Sequence, residues 1–243
     1  MLPVRVRRGP ADRVAASRRA AVGVRQRRCL PPPRAPPGHP KEAAAVTATT
    51  VIGIDAALAA TGVAAWRYRP PGPGRFYLDT IRTSADTTPR PARWAQITAP
   101  IWPCVTTNTL AVVEAVFQGA KGDTALRLAE LHGVILDGLH RRGVPYVVVN
   151  DKQLKKYATG SGAADKDLML ATARSQLGGA AAFPADHDQA DALWLLVMGL
   201  HRYGRQVLPG PVPRWRAKVL ADIAWPSVFR LHPDTDTARE TTP

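Results

Sequence analysis

A chain of 243 residues with 45% hydrophobic content is long enough for one domain of moderate size plus tails. Its two cysteines, Cys29 and Cys104, stand in no CxxC or Cys/His spacing; this argues against a disulfide scaffold or a zinc site and fits a reducing, cytoplasmic compartment. No apolar run reaches the ~18 residues of a membrane span, the N-terminus lacks a secretory apolar core, and a net charge of +14 suits a polyanionic partner, with a merely solvated basic surface as the blander reading.

The charge is uneven. Residues 1–48 hold ten Arg, one Lys, one Asp and one Glu, and so carry +9. They are rich in Pro and Ala, show no apolar period, and are expected to be disordered. Three readings stand for them: a basic arm adding nonspecific DNA affinity, an Arg-rich transit-like segment, or residues upstream of the true start. Residues upstream of the true start, or an idle tail dispensable for folding and activity, are the favoured expectations.

The run Val51-Ile52-Gly53-Ile54-Asp55 reads as a buried strand ending on a carboxylate. Thr61 to Trp66 comes next as its hairpin partner. Asp55 is costly to bury alone and calls for a cation or metal, although a turn-forming Asp would also fit. After the turn Pro70–Gly74, the alternation of Phe76, Leu78 and Thr80 reads as a third, half-exposed strand. Residues 84–91 read as loop. Trp94, Ile97, Ile101, Trp102 and Val105 have helical spacing, with Pro100 and Pro103 bending or breaking that helix. The two tryptophans are expected in the core.

Leu110 to Glu114 is a second apolar strand that ends on an acid. If the two strands are neighbours, Asp55 and Glu114 meet at one edge of the sheet. Phe117 leaves that strand end as a base-stacking residue or a plain core residue. Residues 123–140 read as a helix with Ala125, Leu128, Ala129, His132, Ile135, Leu136 and Leu139 on its apolar face. His132 is then a packed, hydrogen-bonded histidine, and the same stripe could serve a partner helix. Gly143 stops the helix, Val144–Val149 is a strand, and Asn150 or Asp151 caps the next helix.

Lys152, Lys155, Lys156 and Lys166 surround Gly160-Ser161-Gly162 in a helix–turn–helix reading. Lysines there can take phosphate oxygens or merely solubilise the surface. In Pro184 to Leu196, Asp186 is the expected N-cap, and Asp188 and Asp191 share one face of an otherwise apolar helix. The helix dipole alone could favour these acids, but Asp191 precedes the run Ala192–Leu196 and is poorly placed for solvation. A short helix is expected near 215–224, and the tail from Pro233 is expected to be disordered.

Four converging carboxylates repel by roughly 3 kcal/mol per pair at ~5 Å and an effective dielectric near 20. Hard oxygen donors without His or Cys at the centre point to Mg²⁺ or Mn²⁺ as the relieving ions. Two such ions ~4 Å apart can activate water and stabilise a leaving oxygen of a phosphodiester.

The blocks GIDxxxxxTG (53–62), VVEAVFxxxKGDTALRLAELHGVI (112–135), KQLKKYATGSGAADK (152–166) and DxxDALWL (188–195), in that order, resemble the RuvC family of Holliday-junction resolvases over about residues 49–203. The resemblance implies an RNase H-like α/β fold, a mixed five-stranded sheet flanked by helices. It makes 49–205 the nuclease domain, between the 1–48 tail and a 206–243 Pro-rich linker, short helix and tail. It implies Asp55, Glu114, Asp188 and Asp191 as metal ligands and catalytic residues, and two Mg²⁺ per site with Mn²⁺ as a substitute. Phe117, Lys155 and Lys166 become DNA contacts, and helix 123–140 the homodimer element. Ala56-Ala57 departs from the family's Pro-Gly after the first Asp, and His187 beside Asp188 assists or merely neighbours. An actin-like ATPase or kinase would need a second Gly-rich phosphate loop and an adenosine motif, neither of which is found. A non-catalytic DNA-binding relative is the remaining alternative.

Overall fold

The computed structural model describes residues 46–68, 74–84, 89–106, 108–116, 119, 121–177, 183–227 and 229–231. The tail 1–45, the residues from 232 on and Phe117 lie outside them.

The central sheet grows from the two apolar runs around the first hairpin. β2 (Thr50–Asp55) pairs antiparallel with β3 (Ala60–Arg67), which pairs antiparallel with β4 (Arg75–Arg82). On its other side β2 pairs in parallel with β5 (Thr109–Glu114), and β5 with β6 (Tyr146–Val149). The order β4-β3-β2-β5-β6 is the mixed five-stranded sheet expected from the sequence.

Side chains alternate across each strand, so both faces must be covered when neighbouring residues are all apolar. Ile52, Ile54, Ala111 and Val113 point to one face, where α1 (Arg90–Thr98) and α2 (Gly122–Arg141) supply Trp94, Ile97, Leu131, Ile135 and Leu139. Val51, Leu110 and Val112 point to the other face, covered by α3 (Asp151–Thr159), α4 (Lys166–Leu177) and α5 (His187–Arg202). Burial is nearly complete along α5 from Ala192 to Leu200, so this helix is the spine of that layer.

Several expectations shift in detail. The 92–107 helix starts earlier and stops at Thr98, before Pro100; a short 3-10 turn over Trp102–Cys104 replaces the rest. The fully buried residues of α2 are Leu131, Ile135, Gly138 and Leu139; Ile135 and Leu139 belong to the expected face and Leu136 packs beside them, whereas Ala129 is exposed. Gly138 lies against Trp102. A Cβ there would stand 2.4 Å from the Trp102 ring, so the bare glycine lets the indole lie flat on the helix.

The sequence reading sets residues 206–243 outside the domain. Part of that segment packs into the core: α6 (Arg214–Ala221) and the residues after it contribute Val219, Leu220 and Ile223. Two three-residue strands, β1 (Val46–Ala48) and β7 (Phe229–Leu231), pair in parallel as a separate ribbon that the sequence did not suggest.

Candidate metal centre

Parallel pairing places the first two acids. Ile54 stands opposite Val113, so Asp55 and Glu114 are the next step on adjacent strands and emerge at the same sheet edge. Their carboxyls face one another closely enough that Glu114 adds to the cost of charging Asp55. The peptide of Glu114 is held from the other layer: its carbonyl is 3.1 Å from His132 Nε2. His132 is thus the packed, hydrogen-bonded histidine expected, and burial lowers its pKa.

The third element, α5, arrives with its N-terminus at that edge because three glycines let it lie directly on the sheet. A Cβ at Gly62 would be 1.9 Å from the Asp188 carbonyl oxygen. One at Gly53 would be 2.1 Å from the Ala192 carbonyl, and one at Gly199 would be 2.8 Å from Val51 Cγ1. At Gly53 and Gly62 the backbones themselves are in contact, and at Gly199 the helix backbone lies on the Val51 and Val112 side chains. Asp186 fixes the start of the helix. It caps the Gln189 N–H at 2.9 Å, accepts from Thr80 Oγ1 at 2.8 Å and pairs with Arg82 at 2.7 Å. These contacts hold its carboxyl below the usual range, against a burial effect of opposite sign. Sequence reasoning found the cap but not the clamp, whose partners lie more than a hundred residues away on β4.

The result is a cavity of about 340 Å³ lined by Asp55, Glu114, Asp188 and Asp191 with Lys155 and Lys166. All four acids and both lysines singled out in the sequence come together. Burial, then Glu114, pushes Asp55 well above its ordinary value. Burial raises Glu114 too. Asp191 rises to about 7, through burial first and the Asp55 charge second. Lys155 is tethered by Asp151 at 2.9 Å, four residues earlier on α3. His187 turns aside and contacts Asp167 at 3.0 Å, so it neighbours the centre without joining the cavity lining.

Do these residues suit a divalent ion? The donors are all hard carboxylate oxygens. Asp191 Oδ1 is buried without a hydrogen-bond partner among the described residues, a costly state for an acceptor that a cation would relieve. The acids line the cavity without closing into a ready cage, since no group of three His, Cys, Asp or Glu among the described residues forms one. The donor chemistry and the orphaned oxygen fit a bound ion.

Gly62 offers a test of this construction. A Gly62→Ala protein is expected to be destabilised by about 1–3 kcal/mol, because backbone must move to admit the methyl group. Divalent-ion affinity should fall with it, since Asp188 rides on the displaced carbonyl. Thermal unfolding and calorimetric metal titration check this; an unchanged metal affinity would mean that close approach is not what places Asp188.

A mixed sheet with two central strands and a covering helix delivering carboxylates to one edge defines an RNase H-like domain. The solved structure of Thermus thermophilus RuvC in complex with a Holliday junction substrate shares this fold, at 23% identity and TM-score 0.50 over 61% of this chain and 90% of that one. The family model for crossover junction endodeoxyribonuclease RuvC matches residues 51–198, and the chain belongs to the RuvC family. Among proteins of that name, the one from Anaeromyxobacter dehalogenans (strain 2CP-C) is 45% identical over 92 residues, 38% of this chain and 48% of the relative. The one from Rhodococcus jostii (strain RHA1) is 32% identical over 153 residues, 60% of this chain and 78% of that protein. The chain spans about half the length of the Anaeromyxobacter relatives it matches.

Proposed function

We propose that this protein is a structure-selective DNA endonuclease that resolves four-way junctions by divalent-metal-dependent phosphodiester hydrolysis, with Mg²⁺ as its ion and Mn²⁺ as a substitute. One observation carries the reading: Asp55, Glu114, Asp188 and Asp191 line a single cavity that two lysines also enter. Family membership and the names of the relatives support it.

Asp55, Glu114, Asp188 and Asp191 would hold the ions. When bound, divalent ions supply Lewis acidity at the scissile phosphate and lower the pKa of attacking water. The chain's own part is to fix the acids and seat the DNA. β2 and β5 present two acids in register, and the Asp186 clamp sets the angle of α5. Lys166 and Lys155 meet phosphate oxygens at the cavity. Phe117, outside the described residues, is proposed to contact the junction. Assembly as a two-fold dimer through α2 would place two sites on opposite strands; Leu126 and Val134 are exposed on that helix. No helix among the described residues is long and apolar enough to cross a membrane, and a cytoplasmic location is proposed.

The direct test is a labelled four-way junction beside linear duplex, with and without Mg²⁺. Symmetric nicks in the junction alone, only with metal, are expected; cleavage of both alike would sink the structure selectivity. The lysines separate by their surroundings. Lys166→Ala should weaken junction binding more than Lys155→Ala, because Lys155 already spends part of its charge on Asp151. Each should lower the slope of log affinity against log salt by about 1 or less, read by fluorescence anisotropy at several salt concentrations.

A further inference from the structure

The family match ends at residue 198, yet the chain beyond it is anchored close to the site. Arg216 is buried, and its guanidinium donates to the carbonyls of Tyr157 at 2.9 Å and Ala158 at 3.1 Å, and to Gln176 at 2.6 Å. These bonds pin α6 across the C-terminal end of α3. With Val219, Leu220 and Ile223 turned into the core, the opposite face of α6 must look outward. It presents Arg214, Trp215 and Lys218.

Trp215 is 41% exposed. A single exposed aromatic is ordinary, but this one has a specific place. Its indole lies over Gly160, 3.6 Å from where a Cβ would stand, and so walls the turn between α3 and α4. Gly160 caps α3 in the left-handed region, at φ 87°, donating its N–H to the Lys156 carbonyl. The turn residues Gly160, Ser161, Gly162 and Ala163 carry no large side chain, and Gly162 rests against Lys152. The backbone there is open to close approach. Gly160 is five residues, about 8 Å, along α3 from Lys155, which already lines the acidic cavity. At about 3.4 Å per base pair, this is roughly two steps along a duplex.

The charges agree. Lys152, Lys156, Arg214 and Lys218 are exposed and have no ion pair among the described residues. Asp165, which accepts from the Leu168 N–H, Asp167, which contacts His187, and Asp222, at the end of α6, keep their charges and offset part of the patch.

The geometry points to a second DNA surface built from α6 and the Gly160–Ala163 turn. It holds the sugar–phosphate backbone of a duplex arm leaving the cavity. Lys152, Lys156, Arg214 and Lys218 take phosphates, and Trp215 packs its ring on a deoxyribose. This assignment rests on the DNA-cutting reading above, but its test can be read without cleavage.

Affinity of the full chain would be measured by anisotropy for a labelled four-way junction and a linear duplex across a salt series, without divalent metal. Arg214→Ala with Lys218→Ala should weaken both complexes about five- to tenfold at low salt and lower the log–log salt slope by about 1–2. Trp215→Ala should weaken them about threefold with the slope unchanged, and Trp215→Phe should restore most of it. Unfolding curves matching the unsubstituted protein show that α6 stays docked; variants that unfold early are replaced by Arg214→Gln with Lys218→Gln. Affinities and slopes within error of the unsubstituted protein would overturn the proposal and leave α6 as a surface for a protein partner. Equal affinity for junction and duplex, with the α6 effects present, would sink junction selectivity and keep this surface. Absence of binding to either DNA would end both.

Discussion

An Asp55→Asn protein is expected to bind a four-way junction within about twofold of the unsubstituted chain and to cut it at least about a thousandfold more slowly with Mg²⁺, a barrier increase of roughly 4 kcal/mol. Asp55 stands at the middle of the acidic set. Glu114 and Asp188 act on it, and its own charge acts on Asp191. Asparagine keeps the shape and one oxygen but removes the charge, so divalent ions lose both a ligand and the field that draws them in. On the proposed reading, DNA affinity rests on basic residues that this substitution leaves in place, and it should survive. Gel resolution of junction products over a time course, beside anisotropy on the same preparation, measures both halves. Mg²⁺-dependent cutting at an undiminished rate would remove Asp55 from the active site, and with it the nuclease reading.

How the chain encodes this centre is partly legible in one dimension. Strand ends are local events: an apolar run that stops on Asp55 or Glu114 announces a carboxylate at a sheet edge. The parallel pairing of β2 with β5 needed only that both runs be buried on two faces. Caps are equally local. Asn150 forms a full capping box with Gln153, and Asp186 caps α5. What escaped the sequence is contact between distant backbones. Gly53 and Gly62 look like ordinary strand glycines, and only the approach of α5 shows why a side chain is excluded. Thr80 and Arg82 look like surface residues of an edge strand until Asp186 is found beside them. Arg216 reads as one more exposed cation in a basic chain. Its burial is set by free carbonyls at the end of α3, acceptors that every helix leaves and no composition reveals. On α2, periodicity finds Ile135 and Leu139 but not Gly138, because it counts apolar side chains and glycine has none.

The acids should also make the metal-free protein less stable as pH rises. Asp191 has a folded pKa of about 7 against an ordinary 3.8. Below pH 4 it is protonated folded and unfolded alike. Between about 4 and 7 the folded chain keeps a proton that the unfolded chain releases, so the unfolded state binds fewer protons and stability falls with pH. The loss is complete just above 7 and is on the order of 4 kcal/mol at about 1.4 kcal/mol per unit. Asp55 and Glu114 shift in the same direction. An Asp191→Asn protein has no such proton to lose. In chelator it should match the unsubstituted chain near pH 4 and melt about 10 °C higher at pH 8, taking 2–4 °C per kcal/mol for a domain of this size. Adding Mg²⁺ at pH 8 should close the gap from below, raising the unsubstituted protein while leaving the Asn variant nearly still, since only the intact carboxylate set gains from the ion. Parallel melting profiles for the two proteins from pH 4 to 8 would mean that Asp191 meets water and not its fellow acids. A gap that persists with Mg²⁺ would mean that the acids repel one another there for some purpose other than holding a cation.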